Sequence, residues 1–182
     1  MLDPNHIPKK VSQFWWSSEG EITGEMYTII DTARDALIYP KLIESDIEVI
    51  CLYRGEPAQE LADVAPYLIK LKRQDPFTNW LLNNGWGKSW GIFLESSAPF
   101  NDLRRHFRRF LMVYDEEGTP LYFRYYDPRV LRVYLPTCNE NELNTIFGPV
   151  SRYFVEGEDP NTMIGYSFTK GELIERTVQL TS

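Results

Sequence analysis

Four short apolar runs, MYTIID (26–31), IEVICLY (47–53), YLIKL (67–71) and GIFLESS (91–97), limit what this chain can become. Each is too short for a helix of ordinary length or a membrane span and is bounded by turn or helix-start residues, which is the signature of a buried strand. Between them lie pieces of helical length, DALIYPKLIES (35–45) and PAQELADV (57–64). Strands alternating with helices over residues 26–115 predict an α/β fold, a mixed sheet covered by helices with an antiparallel hairpin at its end.

Local signals fix several elements. In DPFTNWLLNNGWG (75–87), Asp75 is a natural N-cap, Pro76 suits the first turn, and Phe77, Trp80 and Leu81 recur at helical spacing before Gly85. APFNDLRRHFRRF (98–110) predicts a helix with Leu103, Phe107 and Phe110 as its buried stripe and His106 partly exposed. LMVYDEEGTPLYFRYY (111–126) predicts two strands joined by DEEGT, with glycine at the bend. Asp127 then caps a helix that Pro128 begins, with Leu131, Tyr134 and Leu135 on one face and Pro136 as its stop. A second helix follows, with an Asn139–Glu142 capping box, an apolar stripe of Leu143, Ile146 and Phe147, and Gly148 at its end. RYFVEG (152–157) and the tail return to short strand-like runs. The expected organisation is an N-terminal arm (1–25) anchored by FWW, an α/β lobe (26–126), and a C-terminal helical addition with short terminal strands (127–182).

A chain of 182 residues can bury roughly two-thirds of its unfolded surface, enough for one domain with a real core. Its net charge of −7 argues against nucleic acid as the main partner, because such binding rests on Lys and Arg displacing counterions from phosphates. No apolar run is long enough to span a membrane, and MLDPNHIPKK lacks the apolar stretch of a secretory signal, so a cytoplasmic protein is expected. Two cysteines, Cys51 and Cys138, and two histidines, His6 and His106, fall at no metal-ligand spacing. No dinucleotide fingerprint, phosphate loop or Cys-His nucleophile pattern is present, so neither cofactor nor metal is expected.

One catalytic pattern matches literally. Gly87, Ser89 and Gly91 satisfy the G-x-S-x-G of hydrolases, but that serine must follow a strand and precede a helix, and here the order is reversed. Downstream, Asp102 and His106 share one helix at i, i+4, which pairs them with each other and not with Ser89. Three features carry binding chemistry instead. RRHFRR sets Arg104, Arg105, Arg108 and Arg109 on one helix, Tyr122, Arg124 and Tyr126 alternate along a strand, and NWLLNNGWGKSWG holds three of the five tryptophans, Trp86 among them. For the tryptophans a core role is the first reading, and for the arginines a solvated face is the alternative to a binding patch.

The segments MYTIIDTARD, DVAPYLIKL, NWLLNNGWGKSWGIFLES and LRRHFRRFLMVYDEEGTPLYFRYYDPRVLRVYLPTCNENELNTIFGPV together resemble the type VI secretion adaptor family, a bacterial family of unknown-function domains encoded beside effector and spike genes. The likeness runs over about residues 26–158. Phe123, Tyr125, Tyr126, Asp127, Pro128, Arg129 and Leu131 match its strand-to-helix block, and Trp86, Gly87 and Ser89 match its glycine-tryptophan loop. The resemblance implies a cytosolic chaperone without catalytic chemistry that binds a secreted effector and helps load it onto the valine-glycine-repeat spike protein. A serine hydrolase built on Ser89 and a structural part of a phage-tail-like assembly are the alternatives.

Overall fold

The computed structural model describes residues 6–181. Its strands are β1 (Glu25–Asp31), β2 (Val49–Cys51), β3 (Pro66–Lys70), β4 (Gly91–Ser96), β5 (Met112–Tyr114), β6 (Pro120–Tyr122), β7 (Arg152–Glu156), β8 (Thr162–Thr169) and β9 (Glu172–Gln179). Its helices are α1 (His6–Trp15), α2 (Ile38–Glu44), α3 (Glu56–Glu60), α4 (Pro76–Gly85), α5 (Phe100–Arg108), α6 (Pro128–Tyr134) and α7 (Glu140–Phe147). Seven strands form one sheet in the order β2-β3-β1-β4-β7-β8-β9, and β5 and β6 form a separate two-stranded sheet.

The α/β class and the helix-covered sheet are as the sequence predicts, but every pairing is antiparallel. The cause of the difference is burial on both faces. Tyr27 and Ile29 of β1 join a core with Leu103, Phe107, Leu131 and Phe147, which belong to α5, α6 and α7. Met26 and Ile30, the alternate residues of the same strand, join a second core with Val11, Trp15, Leu42 and Leu81, from α1, α2 and α4. A strand covered twice reads as a continuous apolar run, which is also how a strand of a parallel sheet reads, so the pattern reports burial and not direction.

The caps agree with the sequence residue by residue. Asp75 Oδ2 accepts from the N–H groups of Phe77 and Thr78, and Asn139 with Glu142 closes the capping box on α7. Gly148 ends α7 at φ 45°, a conformation that favours glycine. Two expectations need correction. The aromatic anchor near the N-terminus is a regular helix, α1, whose Val11, Phe14 and Trp15 are buried. The C-terminal helical addition is not a body apart: α6 and α7 cover the sheet, and β7, β8 and β9 extend it, with β8 and β9 the longest strands described.

The N-terminal segment is tied down by a buried ion pair. Glu95 Oε1 accepts from the N–H groups of Thr23 and Gly24. Its Oε2 meets Arg152 Nε at 2.6 Å, and the Arg152 guanidinium also donates to the carbonyls of Gly20 and Glu21. The pair thus joins the segment after α1 to β4 and β7.

Candidate partner-binding face

The β5–β6 hairpin owes its turn to Asp115, whose carboxylate accepts from the N–H groups of Glu117 and Thr119, and to Gly118 at φ 80°. Met112 pairs with Tyr122 and Val113 with Leu121. Its base is fixed, since Phe123 N–H donates to Leu111 O at 3.1 Å and Leu111 lies in the core. Beyond the base it is only partly covered, with the Tyr53 ring 6.2 Å from that of Tyr122. Met112 and Val113 are 40% exposed, Leu121 47%, Tyr122 63% and Tyr114 70%. Five large apolar or aromatic side chains on a two-stranded ribbon are therefore largely open to water on both of its faces, where scattered single residues are the rule on a protein surface.

Two hollows flank the base. On one side Tyr53, Arg54, Pro57, Met112 and Tyr122 line a depression of about 240 Å³. On the other, Phe123, Val130, Val133 and Tyr134 line a wide, shallow groove of about 660 Å³, with Val133 71% exposed at its rim. Asp127 and Arg129 border that groove as a closed pair. Arg129 Nε and Nη2 donate to the two carboxylate oxygens of Asp127 at 3.0 and 2.6 Å, and Asp127 Oδ1 also accepts from Arg129 N–H as the cap of α6. Burial alone would raise the Asp127 pKa, but the Arg129 fork outweighs it and holds the carboxyl below its ordinary value.

The residues singled out from the sequence divide into two groups. Arg105, on α5 and bonded to Asp102, and Arg109, just past the end of α5, lie exposed, and Arg124 stands exposed with its guanidinium 3.9 Å from the buried Asp31. Together with Tyr122 these remain available to a partner. The others turn inward. Arg108 donates to the carbonyls of Cys51, Leu52 and Tyr53, closing the end of β2, and Arg104 is half-buried with its Nε lacking a hydrogen-bond partner. Tyr126 departs from the expected row. The strand stops at Tyr122, so alternation no longer applies beyond it, and Tyr126 lies buried in the core. Trp86 donates from Nε1 to Pro160 O at 2.8 Å and stacks on Phe93, which makes it part of the packing.

Ser89 and His106 are held at separate places. Ser89 has φ 55°, and its N–H and hydroxyl both donate to Glu156 Oε1, while Gly87 N–H donates to Oε2. His106 is buried, not partly exposed as its place in a basic run suggested, because it packs between Phe107 and Phe110 and its Nε2–H donates to Ile146 O at 3.0 Å. Burial pushes its pKa down to about 4, against the effect of that hydrogen bond and with the help of the Arg109 charge. Among the described residues no group of three or more His, Cys, Asp or Glu side chains could hold a metal ion. The exposed apolar residues Met112, Val113, Tyr114, Leu121 and Val133 escaped the sequence reading. The usable signal was a hairpin apolar at consecutive positions, where a half-buried ribbon would alternate.

A model of the family described as Domain of unknown function (DUF4123) matches residues 26–145. Neither a curated protein nor a solved structure matches the chain. The matched span contains the hairpin, the basic helix and α6, and stops before β7, β8 and β9.

Proposed function

Because the chain belongs to the DUF4123 family, which is associated with type VI secretion effector adaptors, we propose that it is the cytoplasmic adaptor of one such effector and promotes loading of that effector onto the valine-glycine-repeat spike protein. The observation that carries this reading is the exposed hairpin with apolar side chains on both of its faces, its strands flanked in the chain by the exposed Arg109 and Arg124. An apolar centre with a charged rim is the anatomy of a protein interface. A chaperone contact that survives purification buries about 1,200 Å² or more, so the hairpin, its flanking hollows and the α5 rim act together. The adaptor does no chemistry on its client. In keeping with a site outside any bilayer, no helix among the described residues is long and apolar enough to cross a membrane.

Co-expression with the effector encoded beside it tests the proposal. Tyr114→Asp with Leu121→Asp is expected to abolish co-purification while shifting the Tm little, since both side chains are largely open to water and the two positions do not face each other across the hairpin. Arg105→Glu with Arg109→Glu is expected to weaken binding and its dependence on salt. Undiminished capture by the double aspartate variant would remove the hairpin from the interface.

A further inference from the structure

The strand β9 ends the sheet, pairs only with β8 among the described strands, and exposes most of its side chains. Its geometry is well determined. Lys170 at φ 54° and Gly171 at φ 83° make a tight two-residue turn, and all eight residues of β9 are in register with β8. Leu180 N–H donates to Asn161 O at 2.8 Å, in the same register, so the even-numbered residues of β9 direct their main-chain groups at β8. The odd-numbered ones, Leu173, Glu175 and Thr177, point theirs at solvent along an open edge.

We propose that this edge binds the same edge of a second copy of the chain, forming a two-fold antiparallel pair centred on Ile174. The charges select that register. With Ile174 facing its own counterpart, Glu172 of each copy stands opposite Arg176 of the other, twice over, and no like charges stand directly opposite, the two Glu175 side chains being diagonal neighbours. A two-fold centred on Glu172, Glu175 or Arg176 sets that charge against itself, and one centred on Leu173 sets Lys170 against Arg176. Only the Ile174 register among these sets no like charges directly opposite and pairs opposite charges across the two-fold. It also places Ile174, 47% exposed in the single chain, against a second Ile174 in a pair without direct main-chain bonds, where side chains approach closest. Leu173 and Glu175 then exchange main-chain hydrogen bonds with Glu175 and Leu173 of the second copy. An edge guarded against self-association ordinarily carries charges that repel across the pairing. Here the signs alternate so that the strand complements itself, and the two sheets join as one.

The pairing leaves the β5–β6 hairpin open, so it can be tested without an effector. Sedimentation velocity of the whole chain over a range of concentrations is expected to show a reversible dimer. Arg176→Glu, and separately Glu172→Arg, should each raise the dissociation constant at least about ten-fold, because both opposite-charge pairs become like-charge pairs. The double exchange E172R/R176E should restore the dimer. Near-UV circular dichroism identifies a variant that has lost its fold, and the other single variant then serves in its place. A chain that stays monomeric at high concentration overturns the proposal. So does a dimer indifferent to the single charge reversals, or one that the double exchange fails to recover.

Discussion

At the scale of the residue, the buried His106 carries a pH dependence of stability. Its pKa in the folded chain is about 4 against an ordinary 6.5, so between those values the unfolded chain holds a proton that the folded chain excludes. The contribution is therefore complete above the ordinary value and is lost as pH falls through that window, to the extent of about 3 kcal/mol. Urea unfolding across the window should show stability falling with acidification, and His106→Gln should flatten that slope while keeping a donor for Ile146 O. An unchanged slope would mean that the ring already meets water. The same residue shows where sequence reading stops. Caps are written locally, so Asp75, Asp127 and the Asn139–Glu142 pair were legible from spacing alone. Whether a histidine between arginines faces solvent depends on Ile146 and Gly148, some forty residues away, and no local pattern carries that.

Among the elements, α1 is the one the sequence undervalued. Ten residues flanked by polar and proline-containing stretches gave little sign of order, yet Trp15 lies 4.7 Å from the Phe93 ring and 6.1 Å from that of Phe154, centroid to centroid. What fixes the helix is distant: Arg152 holds the carbonyls of Gly20 and Glu21 while Glu95 holds the amides of Thr23 and Gly24. Burial would raise the Glu95 pKa, and the Arg152 guanidinium with those amides brings it below its ordinary value instead. Arg152→Leu leaves a buried carboxylate short of its cation, which costs about 3 kcal/mol. The expected result is a lower urea midpoint together with rapid proteolysis within residues 16–24. A variant as resistant as the parent would show that the helix is held by its aromatic contacts alone.

Across the whole molecule stability is graded. Strands β1 and β4 are paired on both edges and covered on both faces, whereas β5 and β6 pair only with each other. Native-state hydrogen exchange should find the amides of β1 and β4 opening only with global unfolding and those of β5 and β6 opening locally at far lower cost. Equal protection of the two sheets would contradict that gradient. The gradient explains why the fold class was readable while the face was not. Continuous apolar runs announce a doubly covered sheet, but exposure of Val113 or burial of Tyr126 is decided by what packs above them, which only the assembled chain reveals. The Arg152 tether has one more consequence, in the order of synthesis. The ribosome delivers α1 well before its anchors, since the Arg152 guanidinium and the Phe154 ring emerge more than a hundred residues later. Until then neither Phe14 nor Trp15 has the Phe154 ring to pack on, so through that interval the nascent chain exposes aromatic surface that a holding chaperone can bind.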